Sequence, residues 1–232
     1  MQWDRVRDAL YPDTGDVEDF GRGRAERLLR LVRGEPASSF TGVEGIEVFS
    51  DRVQPHSPGL AARMWSGAAS LGSARWTGEQ GLNLLTSSVV RAEAPGGATG
   101  PRTWDFGEIQ ATQIRAFREA SPAGASARVS QGLVVIPTDS ATAAQRAKYT
   151  AYVESRLGRV GTPQGPGRLL FERDLVGTAA QIAEQLYAHA GFREVREVAF
   201  ALPFSFAAED YEQILTDIAT RLGPALGWRP GA

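Results

Sequence analysis

Between residues 62 and 226 the sequence alternates short apolar runs with helical patterns, and this alternation constrains the fold more than any other feature. The runs are nearly continuous, as expected for strands that are buried on both faces. Repetition of strand and helix predicts parallel strands joined by crossover helices. The four predicted strands lie at residues 64–65, 82–90, 127–137 and 195–202.

Helical periodicity fills most of the intervals between these strands. We expect a helix capped by Asp139 or Ser140 after the third strand, because both residue types are favoured N-caps. A further helix precedes the first strand. The predicted helices cover residues 19–33, 71–80, 106–119, 140–157, 178–190 and 209–222.

The number of units limits the α/β fold to two architectures. A complete (β/α)8 barrel takes about 250 residues, whereas four units already occupy most of this 232-residue chain. If the fold is a barrel, it is therefore a partial (β/α)8 TIM-type barrel of about four βα units, in a single domain over residues 1–232. A doubly wound sheet is the alternative, and its strand order would reverse near residue 66.

Composition excludes several classes of function. The chain has no cysteine, which rules out disulfides and thiolate chemistry. Its two histidines, His56 and His189, are far apart in sequence, so we expect no metal site. Lys148 is the only lysine, which argues against a Schiff-base enzyme. The sequence offers no catalytic residue by motif.

Charge and hydropathy bear on the partners of the chain. The net charge is −2 and the basic residues are scattered, so we expect no nucleic-acid partner. The N-terminus lacks the apolar core of a signal peptide, and no apolar run approaches the roughly 20 residues that span a bilayer. We therefore expect no membrane partner and a cytoplasmic location.

Small residues, SGAAS at residues 66–70, follow the first predicted strand. Such a corner lets backbone N–H groups face a ligand, and the following helix N-terminus favours an anion such as phosphate. Gly67 would permit close approach, while Ser70 and Ser73 would add hydroxyl donors. The same residues also fit a tight turn in which Ser70 only caps the helix. Spacing alone favours the tight turn, because strand–turn–helix corners with small residues are common.

The segment RMWSGAASLGSARWTGEQGLNLLTS resembles the flavin-phosphate segment of the bacterial-luciferase-like flavin monooxygenase family. In both, a strand ends in small residues, a helix carries a tryptophan (Trp76), and the next strand ends in Ser or Thr. Three further segments are similar to the family in order and spacing, so that the resemblance covers residues 20–226. They are GRGRAERLLRLVRGEPASSFTG, FGEIQATQIRAFREA and GTAAQIAEQLYAHAGFREVREVAFALPF.

The resemblance implies a (β/α)8 barrel that binds FMN, or alternatively a deazaflavin. It also implies a monooxygenase that uses reduced flavin and oxygen on a small organic substrate, with a separate flavin reductase as a possible partner. For Thr86 and Ser87, simple capping of the strand end is the alternative role. The residues matching family positions are Ala69, Ser70 and Ser73 for the phosphate, Gly67 and Ala68 for the turn, and Thr86 and Ser87 near the isoalloxazine.

The chain departs from the family because the first four strands should precede residue 20. Those strands carry an active-site histidine loop and much of the flavin pocket, so we expect Met1 to match an internal position of a longer ancestor. A half-barrel exposes strand edges and apolar faces, which predicts a homo-oligomer or a partner chain. A catalytically incomplete partner subunit is the alternative function. The predicted substrate-facing loops are residues 91–104 and, second, residues 203–210.

Overall fold

The computed structural model describes residues 17–39, 41–93 and 104–229, with only the backbone of residues 17–20. The chain divides into two compact units, Met1–Met64 and Trp65–Ala232. The expectation of a single domain stays a prediction.

The described part of the first unit holds one long helix and a hairpin. Helix α1 (Val17–Val32) corresponds to the helix predicted at residues 19–33. It ends where Gly34 takes a positive φ of 86° and donates its N–H to the Leu31 carbonyl at 3.0 Å. Strands β1 (Gly42–Glu44) and β2 (Glu47–Phe49) pair antiparallel, and a 3-10 turn spans Ala61–Arg63.

The second unit is a mixed α/β fold that contains all four predicted βα units. Its strands are β3 (Trp65–Gly67), β4 (Asn83–Thr86), β5 (Val89–Arg91), β6 (Val129–Gln131), β7 (Val135–Pro137), β8 (Leu169–Phe171), β9 (Leu175–Gly177) and β10 (Glu197–Val198). Its helices are α2 (Leu71–Glu79), α3 (Phe106–Ala120), α4 (Ala143–Arg156), α5 (Ala179–Ala188), α6 (Ala190–Arg193), α7 (Ala208–Asp217) and α8 (Gly223–Ala225), with a π-helical turn at Ile218–Leu222.

The four strands predicted from the apolar runs form one parallel sheet. Its order is β3-β4-β6-β10, so the strands lie side by side in the order in which they occur along the chain. Among the described residues β3 is an edge strand. Within the part of the chain that the structure describes, the order therefore does not reverse at residue 66, where the doubly wound alternative placed its switch point.

Two of the predicted strands change partners halfway along. After β4 the chain continues as β5, which pairs antiparallel with β8. Past Gly132, β6 continues as β7, which pairs in parallel with β9, and Val134 bridges to Ala201. Strands β8 and β9 were not predicted, because each has three residues, too few for periodicity to register, and each follows a charged residue, Arg168 or Asp174.

One face of the sheet packs on α2 and α3. The cluster beneath these helices includes Leu84, Ile114 and Phe117, each with no exposed surface. Helices α2 and α3 approach closely because residue 78 is glycine: a Cβ there would lie 2.3 Å from the carbonyl oxygen of Phe117. This contact fixes the helix that follows the SGAAS corner against the helix that follows β5.

The predicted N-cap of α4 is wrong by two or three residues. Thr142 caps this helix in a capping box with Gln145. Asp139 instead accepts the Ala179 N–H at the start of α5 at 2.8 Å, and the N–H of Ser140 donates to Asp217 at 2.9 Å. Both residues are therefore used in tertiary contacts that spacing along the chain does not reveal.

No helix within the described ranges is both long and apolar enough to cross a membrane.

Candidate functional site

The SGAAS corner lies at the carboxyl end of β3, where α2 begins. Ser70 is the N-cap of α2: its backbone is extended, and its Oγ accepts the Ser73 N–H at 3.2 Å. The Ser70 hydroxyl also donates to the Ser73 Oγ at 2.9 Å. The capping role that the sequence offered as one interpretation is thus present.

A carboxylate already occupies the N-terminus of this helix. The N–H of Leu71, the first residue of α2, donates to Oε2 of Glu93 at 2.6 Å, across a separation of 22 residues. An anion in this position interacts favourably with the positive end of the helix. The corner therefore binds an oxyanion, and in this structure the oxyanion is a side chain of the chain itself.

Ala68 and Ala69 join the corner to its neighbours. The N–H of Ala68 donates to the Leu85 carbonyl on β4 at 3.1 Å. The Ala69 carbonyl accepts the Arg91 N–H and, at 3.1 Å, the Gln113 side-chain amide. Three elements, β4, β5 and α3, thus fix the corner through these two residues.

Gly67 has no packing partner that requires glycine. A Cβ added there would meet no described heavy atom within 4 Å, and Gly67 has no positive φ. Among the described residues the space beside Gly67 is therefore open, and their packing does not require glycine at this position.

Thr86 and Ser87 lie at the end of β4, next to the corner. Thr86 is buried, and its Oγ1 accepts the Gln110 side-chain amide at 3.2 Å, while the Ser87 carbonyl accepts the same amide at 3.0 Å. The Ser87 side chain is exposed and accepts the Val89 N–H at 3.2 Å, forming the turn into β5. The structure therefore brings both residues to the same end of the sheet as Gly67 and Ser70.

A layer of buried glutamines supports these strand ends. Gln110, Gln113 and Gln131 are at most 2% exposed, and the Gln131 amide donates to Oε1 of Gln110. The amide oxygens of Gln113 and Gln131 have no partner within the described part of the chain. The sequence analysis missed this layer. Gln110 and Gln113 lie on the same buried stripe of α3 as the apolar residues Ile109 and Ile114. Polar residues on an apolar stripe indicate buried side chains that need hydrogen-bond partners.

A cavity of about 490 Å³ lies elsewhere in the second unit, between the start of α3, β8 and the end of α5. It is lined by His189, whose Nδ1 accepts the Phe192 N–H at 3.1 Å and whose Nε2 lies 3.3 Å from Glu172. Both ring nitrogens are therefore in contact with other groups of the protein. His56, in the other unit, packs its ring against Gly34.

Lys148 lies on a helix, as expected, and its ammonium group binds the buried carboxylate of Asp210. Across the described ranges, no three His, Asp or Glu side chains are grouped so as to hold a metal ion. Of the loop predicted to face a substrate at residues 91–104, residues 94–103 lie outside the described residues. The second predicted loop, residues 203–210, follows the bridge at Ala201 and leads into α7.

Comparison with known proteins gives a match to solved structures alone. No family model and no curated protein matches the sequence. The chain is similar to the crystal structure of apo-MsnO8, with a TM-score of 0.56 and 20% identity, over 97% of this chain and 65% of that one. At this identity the likeness concerns the fold, and the chain spans about two thirds of the length of that protein.

Proposed function

We propose that this chain is a flavin-dependent oxidoreductase of the luciferase-like monooxygenase class, which acts with reduced flavin and oxygen on a small organic substrate. The observation that carries the proposal is the corner at α2: an oxyanion bound at a helix N-terminus that opens directly from a parallel strand. The sequence resemblance assigns the flavin phosphate to the same residues. We also propose that the consecutive parallel strands are an arc of a (β/α)8 barrel.

The residues at the corner suit a phosphate group. Backbone N–H groups at the start of α2 and the hydroxyls of Ser70 and Ser73 are hydrogen-bond donors, and the helix end favours negative charge. The open space beside Gly67 leaves room for a ligand to approach the backbone. In this proposal Ala69, Ser70 and Ser73 hold the phosphate of FMN, or of a deazaflavin cofactor, while Gly67 and Ala68 shape the turn.

The strand end at Thr86 and Ser87 would then lie beside the isoalloxazine. Gln110 holds both residues through the two hydrogen bonds of its amide, so it acts as a positioning residue for this part of the site. A bound flavin supplies the electrons for reaction with oxygen, and a separate flavin reductase is a proposed partner. The residues of this chain bind and orient it; none of them is assigned a proton-transfer step.

The exposed face of the sheet favours a second candidate, a partner subunit that folds and associates without activity of its own. Trp65 and Leu85 lie on the face opposite Leu84, and they are 36% and 38% exposed. The Arg128 guanidinium lies over the Trp65 ring at 4.9 Å. Exposed apolar side chains beside β3, which is the edge strand of the sheet within the described residues, are typical of a surface that another chain covers.

Titration with FMN, followed by quenching of flavin fluorescence and combined with light scattering, separates the two candidates. We expect micromolar binding that Ser70→Asp weakens at least tenfold, because a second carboxylate at the helix N-terminus repels phosphate. Ser126→Asp is the matched control, since Ser126 is exposed and precedes β6 at the opposite end of the sheet. A defined oligomer that binds no FMN would contradict the enzyme and support the partner subunit.

A further inference from the structure

We propose that Glu93 is an internal anion that competes with phosphate-bearing ligands for the N-terminus of α2. The inference rests on the proposed function, because it concerns the corner to which the flavin phosphate is assigned. It adds a determinant of ligand choice: a ligand with a phosphate must displace the Glu93 carboxylate, whereas a ligand without one has no need to.

The backbone on either side holds Glu93 at the corner. Arg91 donates its N–H to the Ala69 carbonyl, and Ala92, which is buried, donates its N–H to the Arg168 carbonyl at 2.8 Å. Glu93 itself is half-buried, and its Oε2 accepts the Leu71 N–H at 2.6 Å. The carboxylate is therefore placed at the helix end by two anchored neighbours in the sequence.

The buried side-chain amide of Gln113 contacts the same corner, and its oxygen lacks a hydrogen-bond donor within the described residues. The Glu93 carboxylate cannot supply that donor. Gln113 is 2% exposed, its Nε2 donates to the Ala69 carbonyl, and its Oε1 has no donor within the described residues. An ionised carboxylate only accepts hydrogen bonds. A phosphate monoester, whose second pKa is near 6, can carry a proton and donate it. The Gln113 oxygen is therefore a buried acceptor that the Glu93 carboxylate cannot satisfy, whereas a ligand that carries a proton could.

Charge makes the two occupants exclusive. A carboxylate and a phosphate within a few ångströms repel each other, and each favours the protonated form of the other. The stabilising effect of a helix N-terminus falls off within the first turn, so both anions would have to share the same few N–H groups. Glu93 therefore lowers the affinity of the corner for phosphate while it stabilises α2 in the empty site.

Glu93→Gln tests the proposal, because the amide keeps an oxygen that can accept the Leu71 N–H and removes the charge. The wild type and the variant are titrated with FMN and with riboflavin, which has the same ring and no phosphate. We expect FMN to bind the variant about fivefold more tightly, the upper end of the effect of one charge at a helix N-terminus. Riboflavin affinity should not change.

Glu79→Gln is the matched control, since it makes the same change of charge at the exposed C-terminal end of the same helix. It should leave both affinities unchanged. An FMN affinity that does not rise in Glu93→Gln, or an equal rise for FMN and riboflavin, would overturn the inference.

Failure of the proposed function is recognised separately. If neither flavin binds any form of the chain, the flavin assignment fails, and inorganic phosphate then tests Glu93. Thermal unfolding is compared in phosphate and in chloride of equal ionic strength. A larger rise of Tm by phosphate in Glu93→Gln than in the wild type supports the competition; equal rises refute it.

Discussion

Asp210 shows how a buried carboxylate is tied into this fold. It is 3% exposed and lies at the start of α7, where it binds Lys148 and accepts the Ala207 N–H at 3.1 Å. The hydrogen bond from Lys148 holds the pKa of Asp210 below its ordinary value. Burial, followed by the Asp210 charge, raises the pKa of the Tyr149 hydroxyl, which lies 3.3 Å from the carboxylate.

The lowered pKa of Asp210 predicts a loss of stability in acid. A carboxyl group with a depressed folded pKa stabilises the protein above its unfolded pKa, near 3.8, and this contribution is lost as the pH falls through the folded value. Asp210→Asn should lower the free energy of unfolding by about 1 to 3 kcal/mol at pH 7. It should also reduce the fall in stability between neutral and acid pH. Urea unfolding between pH 2 and 7 measures both effects.

Glu209→Gln is the control for this prediction, because Glu209 is the exposed neighbour of Asp210 on the same helix. It should leave stability within about 0.5 kcal/mol of the wild type. If Asp210→Asn matched the wild type in stability and in pH profile, the carboxylate would contribute nothing to the fold.

At the scale of elements, the contact between α2 and α3 depends on Gly78. A Cβ at this position would meet the Phe117 carbonyl oxygen at 2.3 Å and the Ala120 Cβ at 3.1 Å. The nearest obstacle is backbone, so relief requires movement of a whole helix. Gly78→Ala should therefore destabilise the protein by about 1 to 3 kcal/mol, the usual cost of overpacking, despite the better helix propensity of alanine.

Gly23→Ala provides the comparison, since Gly23 also lies within a helix, α1, and a Cβ there would meet nothing within 4 Å. It should be neutral or stabilising by up to about 1 kcal/mol. Chemical denaturation measures the free energy of unfolding of both variants. A Gly78→Ala protein as stable as the wild type would mean that α2 and α3 do not pack this closely at Gly78.

The sequence predicted elements well where an apolar pattern was long. The helix at residues 106–119 is observed as Phe106–Ala120, and each of the four predicted strands contributes to the parallel sheet. Strands β8 and β9 were missed because three residues show no period. The cap of α4 was misplaced because Asp139 and Ser140 bond to distant elements, and single-sequence spacing carries no information about those contacts.

At the scale of the whole molecule, the candidate site was predicted in part. The small-residue corner and the strand end at Thr86 and Ser87 do lie side by side, because neighbouring parallel strands end at the same edge of a sheet. Glu93 could not be predicted, since its contact with Leu71 spans 22 residues and depends on the path of β5. The flavin roles of these residues stay predictions.

The phosphorus NMR signal of FMN, recorded as the chain is added, tests most directly the claim that the α2 corner binds the flavin phosphate. We predict that the phosphate resonance shifts on binding and that the shift is lost in Ser70→Asp, because only a phosphate seated at the helix end senses that charge. Quenching of the flavin fluorescence with an unchanged phosphate resonance would contradict the claim. A phosphate resonance that shifts with neither the wild type nor Ser70→Asp would contradict it as well.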